Sequence, residues 1–228
     1  MFLEMGYILS VETSGTNCSV VLSNRNEVTF IKEENTGSFS HAEKLHVFIK
    51  EVMELGNVAP EDIDAIAVSK GPGSYTGLRI GVSTVKGLCF AWDKPMLSVS
   101  TLEALAYQAV AAEVMYIIPL IDARRMEVYS AVFTNAMEPV RVVEAEVIDE
   151  TSFLTYLEKG KVLFLGDGAQ KCKSVISHAN AVFVDNKFPS AKEVGQLAFQ
   201  KYQKNDFENI AYFEPFYLKD FVTGKKAN

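Results

Sequence analysis

The sequence predicts an α/β protein of two lobes, each built on a mixed β-sheet with helices. Three observations lead to this prediction. Two parts of the chain each have three strand-like runs followed by alternating helical and strand-like runs. In the first part, a glycine-rich stretch joins a predicted strand to a predicted helix. No linker separates the two parts, so the division lies in the pattern of elements.

In the first part, the strands are predicted from β-rich runs bounded by turn-forming residues. The predicted strands are residues 7–12, 18–23, 28–33, 63–68 and 96–100. The first three form an antiparallel meander. Helices are predicted at residues 40–55, with Ser40 as the N-cap, and at residues 75–92.

The second part repeats this order of elements, although not the residues themselves. After a short helix at 102–112, strands are predicted at 114–123, 127–134, 140–148, 162–167 and 181–185. Helices are predicted at 151–159, 169–177 and 191–204. Two βββαβα units in one chain resemble the arrangement of the actin-like ATPase superfamily, to which Hsp70 and sugar kinases belong. We therefore expect an actin-like fold with one lobe at residues 1–104 and a second at 105–228, whose last helix and tail pack back on the first lobe.

Composition limits the function. The 228 residues suffice for one large or two small domains, and the formal net charge of −7 argues against a protein that grips nucleic acid unaided. A locally basic face is compatible with that charge. Three widely spaced cysteines without a CxxC pair predict reduced, buried thiols. No basic leader and no apolar run of about 20 residues is present, so we expect a cytoplasmic protein without a membrane partner.

The glycine-rich stretch SKGPGSYTGLRIGVSTVKG matches neither common phosphate-binding template. Counted from Gly71, the sixth position is Thr76 and no lysine follows, and the Rossmann pattern also fails at Thr76. One interpretation is a tight turn in which Gly73 takes a positive φ and Ser74 or Thr76 caps the helix. The other interpretation is an anion contact. Its residues would be Gly71, Gly73, Ser74, Thr76 and Gly77.

The predicted helix 75–92 has two uncharged faces. One carries an ordinary apolar stripe that includes Leu78 and Val85, and the opposite face is mostly small. The residues of this second face are Ile80, Ser83, Thr84, Gly87 and Ala91, with Arg79 and Lys86 on one flank. The face is either buried inside its own domain or covered by a partner protein.

These segments resemble a known family. GPGSYTGLRIGVSTVKGL, ILSVETSGTNCSVVL, IDARRMEVYSAVF, LGDGA and EPFYLKD together resemble the bacterial TsaB (YeaZ) family of tRNA threonylcarbamoyladenosine biosynthesis, from about Tyr7 to Leu218. The resemblance implies a non-catalytic partner of TsaD, the paralogue that transfers a threonylcarbamoyl group to the adenosine beside the tRNA anticodon. It also implies the ATPase TsaE as third subunit, a homodimer when alone, and contact with tRNA only through the complex.

The interface that we expect joins the helix 75–92 to the helix 40–55 in a bundle with a partner. Its residues would be Leu45, Phe48, Ile49, Val52, Arg79, Ile80, Ser83, Thr84, Gly87 and Ala91. We expect no cofactor in the isolated chain, although a nucleotide could lie at the junction with a partner subunit.

No catalytic residue or metal ligand is expected. TsaD holds its metal with two histidines four apart on a helix, and the matching positions here are Thr101 and Leu105. His41 and His46 are five apart, which places them about 140° apart around a helix. The family is also described as glycoprotease-like, but no Ser or Cys stands beside a base at a spacing that indicates an activated nucleophile.

A second function, an active actin-like phosphotransferase or ATPase, rests on residues at predicted strand ends. Actin-like kinases place a phosphate-contacting turn where this chain has Glu12, Thr13 and Ser14. The second lobe could add Asp122, Gly166, Asp167 and Gly168 to the same cleft. The other interpretation is a degenerate cleft, because Asp and Gly at strand ends are also ordinary turn formers.

Overall fold

Two five-stranded mixed sheets organise the chain, in a computed structural model that describes residues 6–37, 40–110 and 112–219. The strands of the first sheet are β1 (Tyr7–Glu12), β2 (Asn17–Asn24), β3 (Glu27–Asn35), β4 (Ile63–Ser69) and β5 (Met96–Val99). Their order is β3-β2-β1-β4-β5. The first three strands pair antiparallel, while β4 and β5 run parallel to β1.

The second sheet repeats this arrangement. Its strands are β6 (Tyr116–Asp122), β7 (Glu127–Thr134), β8 (Pro139–Val147), β9 (Val162–Leu165) and β10 (Ala181–Val184). Their order is β10-β9-β6-β7-β8, which matches the first sheet when it is read from the opposite edge. The predicted two-lobed actin-like fold is confirmed, including the antiparallel meander at the start of each lobe.

Six α-helices accompany the sheets in the described part of the chain. They are α1 (His41–Gly56), α2 (Tyr75–Trp92), α3 (Thr101–Tyr107), α4 (Leu154–Leu157), α5 (Ala169–Lys173) and α6 (Ala191–Gln203). The predictions for α1, α2 and α6 agree to within one residue at each end.

The predictions for α3, α4 and α5 were too long. Phe153 precedes α4 in a left-handed conformation, which prevents the helix from starting earlier. After α5, the Ser174 hydroxyl donates to the Lys171 carbonyl and competes with the helical backbone. The end predicted for α3 passes through residue 111, which lies outside the described residues.

The two lobes share helices. One face of the first sheet is covered by α1 and α2, and the other face by α6, whose Val194 and Leu197 pack with Ile8 of β1. In turn, α3 packs on the second sheet, where Leu105 joins the same cluster as Ile117. A helix from late in the chain therefore completes the core of the first lobe.

The C-terminal segment, residues 208–219, runs along the first lobe and ends at the second. The backbone N–H of Glu208 donates to the Met96 carbonyl at 2.8 Å, and that of Phe216 donates to the Lys70 carbonyl at 2.7 Å. Lys219 forms an ion pair with Glu127 of β7. The remainder of the predicted second domain, residues 220–228, and residues 1–5 of the first lie outside the described residues.

The N-terminus of α2 sits on the turn between β1 and β2. The Ser74 N–H donates to the Ser14 carbonyl at 2.7 Å, and the Thr13 hydroxyl donates to the Gly77 carbonyl at 2.8 Å. The Ser74 hydroxyl accepts from the Gly77 N–H at 3.3 Å and so caps the helix. This turn therefore fixes where α2 begins and in which direction it runs.

The glycines allow this close contact. The positive φ that we predicted for Gly73 is wrong, because the left-handed residue is Gly71, with φ of 112°. A Cβ on Gly73 would collide with the backbone of Ser14, and one on Gly77 with the carbonyl oxygen of Thr13. After β9 of the second lobe, Gly166 has the same φ of 112°.

Two glycines of α2 give a matched test of this contact between the β1–β2 turn and the N-terminus of α2. We expect Gly77→Ala to lower the free energy of unfolding by about 1–3 kcal/mol, because the new methyl group overlaps a backbone oxygen. Gly87→Ala should raise it by about 0.5–1 kcal/mol, since no heavy atom lies within 4 Å of a Cβ there and alanine favours a helix. Urea unfolding followed by circular dichroism measures the free energy of unfolding of both variants. Equal stability of the two variants would contradict the close contact between Gly77 and the β1–β2 turn.

Candidate functional site

The face of α2 that points away from the first core is exposed. Ser83, Gly87 and Ala91 are exposed along it, while Ile80 and Thr84 are half-buried. Apart from the adjoining residues and backbone of α2 itself, no heavy atom of the described residues lies within 4 Å of the position that a Cβ on Gly87 would take. The opposite stripe of α2, which includes Leu78 and Val85, is buried in the first core. The described part of the chain thus leaves the small-residue face open.

Phe90 extends this face and was missed in the sequence. Its side chain is 85% exposed, a large apolar surface in contact with water. The helical spacing contained the signal, because Phe90 follows Ser83 by seven residues and Gly87 by three. We define the α2 face as Ser83, Gly87, Phe90 and Ala91 with the half-buried Ile80 and Thr84.

The interface residues predicted on α1 lie on the buried side of that helix rather than at the surface. Leu45, Phe48, Ile49 and Val52 are buried in the core of the first lobe, so they are not on the surface of the single chain. The exposed apolar residues of α1 are instead Val47 and Leu55.

The two charged residues of α2 are directed toward the C-terminal segment. The Arg79 guanidinium lies 4.2 Å from the centre of the Tyr75 ring, and its Nε donates to the Tyr217 hydroxyl at 3.3 Å. Lys86 Nζ donates to the Phe213 carbonyl at 2.9 Å. The middle of the α2 face is therefore left without a charge from its own helix.

The predicted cleft of the first lobe contains a buried carboxyl group. Glu12 is fully buried, and its Oε1 accepts from the Ser14 N–H at 2.5 Å. Its Oε2 has no hydrogen-bond partner among the described residues. Burial raises the pKa of Glu12, and the hydrogen bond from the Ser14 N–H opposes that shift. Thr13 and Ser14 are hydrogen-bonded to the N-terminus of α2.

The cleft residues of the second lobe are bound to one another. Asp122 forms an ion pair with Lys171 at 2.8 Å, and Oδ1 of Asp167 accepts from the Asp122 N–H at 2.9 Å. Burial raises the pKa of Asp167. Gly166 and Gly168 fold closely over β6, where the Gly168 N–H donates to the Leu120 carbonyl at 3.1 Å. In the described ranges, no group of three or more His, Cys, Asp or Glu side chains is arranged to hold a metal ion.

Thr101 and Leu105, which we expected at the metal-ligand positions of TsaD, are both buried in this chain. Thr101 is buried at the start of α3, where its N–H donates to the Gly71 carbonyl at 3.0 Å, and Leu105 is a core residue. His41 Nε2 lies 2.8 Å from the Gly15 carbonyl oxygen, and burial lowers the pKa of His41. His178 Nδ1 accepts from the Asn180 N–H at 3.1 Å.

The glycine stretch is occupied by contacts within the chain. The Ser74 hydroxyl is used as the helix cap, and Gly73 and Gly77 face the β1–β2 turn. Thr76 is exposed at the first turn of α2. An anion contact at these residues stays a prediction. No helix in the described part of the chain is long and apolar enough to cross a membrane.

Comparison with known proteins adds the family. Residues 35–226 match the family model described as TsaD: tRNA N6-adenosine threonylcarbamoyltransferase. The tRNA threonylcarbamoyladenosine biosynthesis protein TsaB of Haemophilus influenzae is 29% identical, with 96% of each chain covered. The TsaB protein of Bacillus subtilis is 32% identical, with 74% of each chain covered.

A solved structure supports the same assignment. YeaZ from Pseudomonas aeruginosa superimposes with a TM-score of 0.82 at 26% identity, and the match covers 94% of this chain and 100% of that one. The similarity in sequence and the similarity in structure thus both extend over most of the molecule. The chain belongs to the TsaB (YeaZ) family of tRNA threonylcarbamoyladenosine biosynthesis proteins.

Proposed function

We propose that this chain is a non-catalytic subunit of the machinery that forms threonylcarbamoyladenosine in tRNA. It acts by pairing its α2 face with TsaD, the catalytic paralogue, and TsaE completes the complex. The observation that carries this proposal is the open α2 face, with small residues along its length and the exposed Phe90 at one end. In the absence of TsaD, the same face pairs with a second copy of the chain.

The chemistry of the α2 face suits a helix as its partner. Small residues let two helix backbones come close, and a large aromatic side chain is the kind of anchor that dominates binding energy at interfaces. Arg79 and Lys86 lie toward the rim, where they are hydrogen-bonded to the C-terminal segment. A face of this kind can pair with its own copy about a two-fold axis or with the equivalent helix of a paralogue.

Contact with tRNA and binding of a nucleotide are, in this proposal, properties of the complex rather than of the isolated subunit. Contact with tRNA arises in the complex, because the net charge of −7 disfavours RNA binding by most of the surface. A nucleotide would bind at the junction with a partner subunit. The isolated chain holds no cofactor.

Three features support a non-catalytic role. Thr101 and Leu105 replace the histidine pair expected of TsaD. Burial keeps the carboxyl group of Glu12 neutral over a wider pH range, and a neutral carboxyl is a poor ligand for Mg²⁺. In the second lobe, Asp122 is already neutralised by Lys171.

One observation favours the second function, an actin-like phosphotransferase or ATPase. Glu12 and Asp167 lie at strand ends of the two lobes, and Glu12 Oε2 is without a partner among the described residues. Turnover of ATP by the purified chain, without TsaD or TsaE, would favour this class over the non-catalytic subunit.

Gly87→Arg tests the pairing. A long charged side chain at the centre of the α2 face must be buried without a partner or must separate the helices. We expect a loss of about 3 kcal/mol or more in association free energy, which weakens binding to TsaD by at least about a hundredfold. Analytical ultracentrifugation of the chain alone and with TsaD measures this loss, and circular dichroism checks the fold.

Gln200→Arg is the matched control for an added arginine. Gln200 is an exposed residue of α6, which covers the face of the first sheet opposite to α2. Its substitution should leave both associations unchanged. A folded Gly87→Arg protein that still dimerises and still binds TsaD would show that the α2 face is not the interface.

Glu12→Gln tests the neutral buried carboxyl group. Because the pKa of Glu12 is raised in the folded chain, the folded state holds a proton that the unfolded state releases above the ordinary value of 4.5. The stability from this group is therefore complete below that pH and is lost as the pH rises through the folded pKa. Glutamine cannot ionise, and it keeps an oxygen for the Ser14 N–H.

We expect the free energy of unfolding to fall less steeply above pH 4.5 for Glu12→Gln than for the parent chain. Urea unfolding at a series of pH values from 4 to about 8 measures the difference. Identical pH profiles would show that Glu12 ionises in the folded chain as easily as in water.

A further inference from the structure

Two adjacent arginines form the tip of the β6–β7 turn. Arg124 and Arg125 are both exposed and have φ of 72° and 49°. The turn is fixed by hydrogen bonds, since the Arg124 N–H donates to Oδ1 of Asp122 at 2.6 Å and the Glu127 N–H donates to the Arg124 carbonyl at 3.1 Å. The backbone of this tip is therefore well defined while both guanidinium groups point to the surface.

The backbone of the tip is unfavourable for arginine. Positive φ is a conformation that glycine adopts freely and that asparagine and aspartate tolerate, whereas longer side chains resist it. Within residues 6–37, 40–110 and 112–219, this is the one place where two neighbouring non-glycine residues both have positive φ. Strain of this kind concentrates at functional positions.

The charges of the tip are not neutralised by an ion pair with any residue in the described ranges. The acidic residues at the two ends of this turn are already paired, Asp122 with Lys171 and Glu127 with Lys219. Neither Arg124 nor Arg125 forms an ion pair with a described residue. Two exposed guanidinium groups without an ion-pair partner among the described residues are therefore carried by consecutive residues of a chain whose net charge is −7.

We propose that the Arg124–Arg125 tip binds the phosphate backbone of RNA. The proposal rests on the proposed function, in which the RNA is the tRNA acted on by the complex. Arginine is always charged and grips phosphate with two parallel hydrogen bonds. Two adjacent guanidinium groups match the repeated charges of a polyanion, and the acidic remainder of the chain confines the contact to this corner.

The test replaces both arginines with asparagine, which suits positive φ and carries no charge. The full chain with TsaD is titrated into a fluorescent, unmodified tRNA transcript at several salt concentrations. We expect Arg124→Asn/Arg125→Asn to weaken RNA binding about tenfold or more at low salt. The slope of log affinity against log salt should become shallower by about 1.4, the value for two lost contacts to single-stranded phosphates.

Two control variants separate charge from structure. Arg25→Asn removes an exposed arginine with φ of 54° from the β2–β3 turn of the first lobe, and it should leave RNA affinity unchanged. Arg124→Lys/Arg125→Lys keeps the charges and should preserve the salt slope. The thermal midpoint of the double asparagine variant should be no lower than that of the parent, because the strained positions are relieved.

The outcomes distinguish this proposal from the proposed function. Unchanged RNA affinity and salt slope in the double asparagine variant would overturn the RNA contact, and so would a loss of TsaD binding with RNA affinity intact. If the parent chain does not associate with TsaD in the same samples, the proposed function fails. The RNA contact is then tested on the chain alone, where no binding of the transcript, or equal binding by the parent and the double asparagine variant, would overturn it.

Discussion

The contact between the β1–β2 turn and the first turn of α2 is the constraint on which the position of the α2 face depends. Two hydrogen bonds, from Ser74 N–H to Ser14 and from the Thr13 hydroxyl to Gly77, hold the helix against the sheet. They form only because Gly73 and Gly77 have no Cβ to collide with the turn. Once this end of α2 is fixed, the buried stripe through Leu78 and Val85 determines the rotation of the helix. The small residues are consequently left on the outside.

The second lobe has the same glycine turn after its corresponding strand, but its surface there is different. Gly166 follows β9 with the φ that Gly71 has after β4, so the two lobes share the glycine turn. After it, however, α2 continues for 18 residues while α5 ends after five. Among the described residues of the second lobe, α5 therefore forms no counterpart of the α2 face, and the glycine turn instead lies beside Asp122 and Asp167. The two lobes are alike in topology, and their surfaces differ.

The sequence predicted the strands, the three long helices and the two stripes of α2, because these follow from local periodicity. It could not show that Leu45 and Val52 are core residues, since a helix with one apolar face gives no sign of which partner covers it. It assigned the positive φ to Gly73 instead of Gly71, because both glycines lie in one turn and only the tertiary contact with Ser14 separates their roles. The packing of α6 on the first sheet joins residues almost 190 positions apart, such as Ile8 and Val194, and it was expected from the actin-like arrangement of elements, because no local pattern encodes it.

Thiol labelling of a cysteine on the α2 face tests most directly whether this face pairs with TsaD. The natural cysteines give little background, because burial raises the pKa of Cys18 to about 11 and those of Cys89 and Cys172 to about 12. Ser83→Cys places a thiol on the exposed α2 face, and Ser174→Cys places one on an exposed position of the second lobe. If the α2 face pairs with TsaD, saturating TsaD strongly slows labelling at position 83 and leaves labelling at position 174 unchanged. Equal labelling rates at position 83 with and without bound TsaD would contradict this pairing.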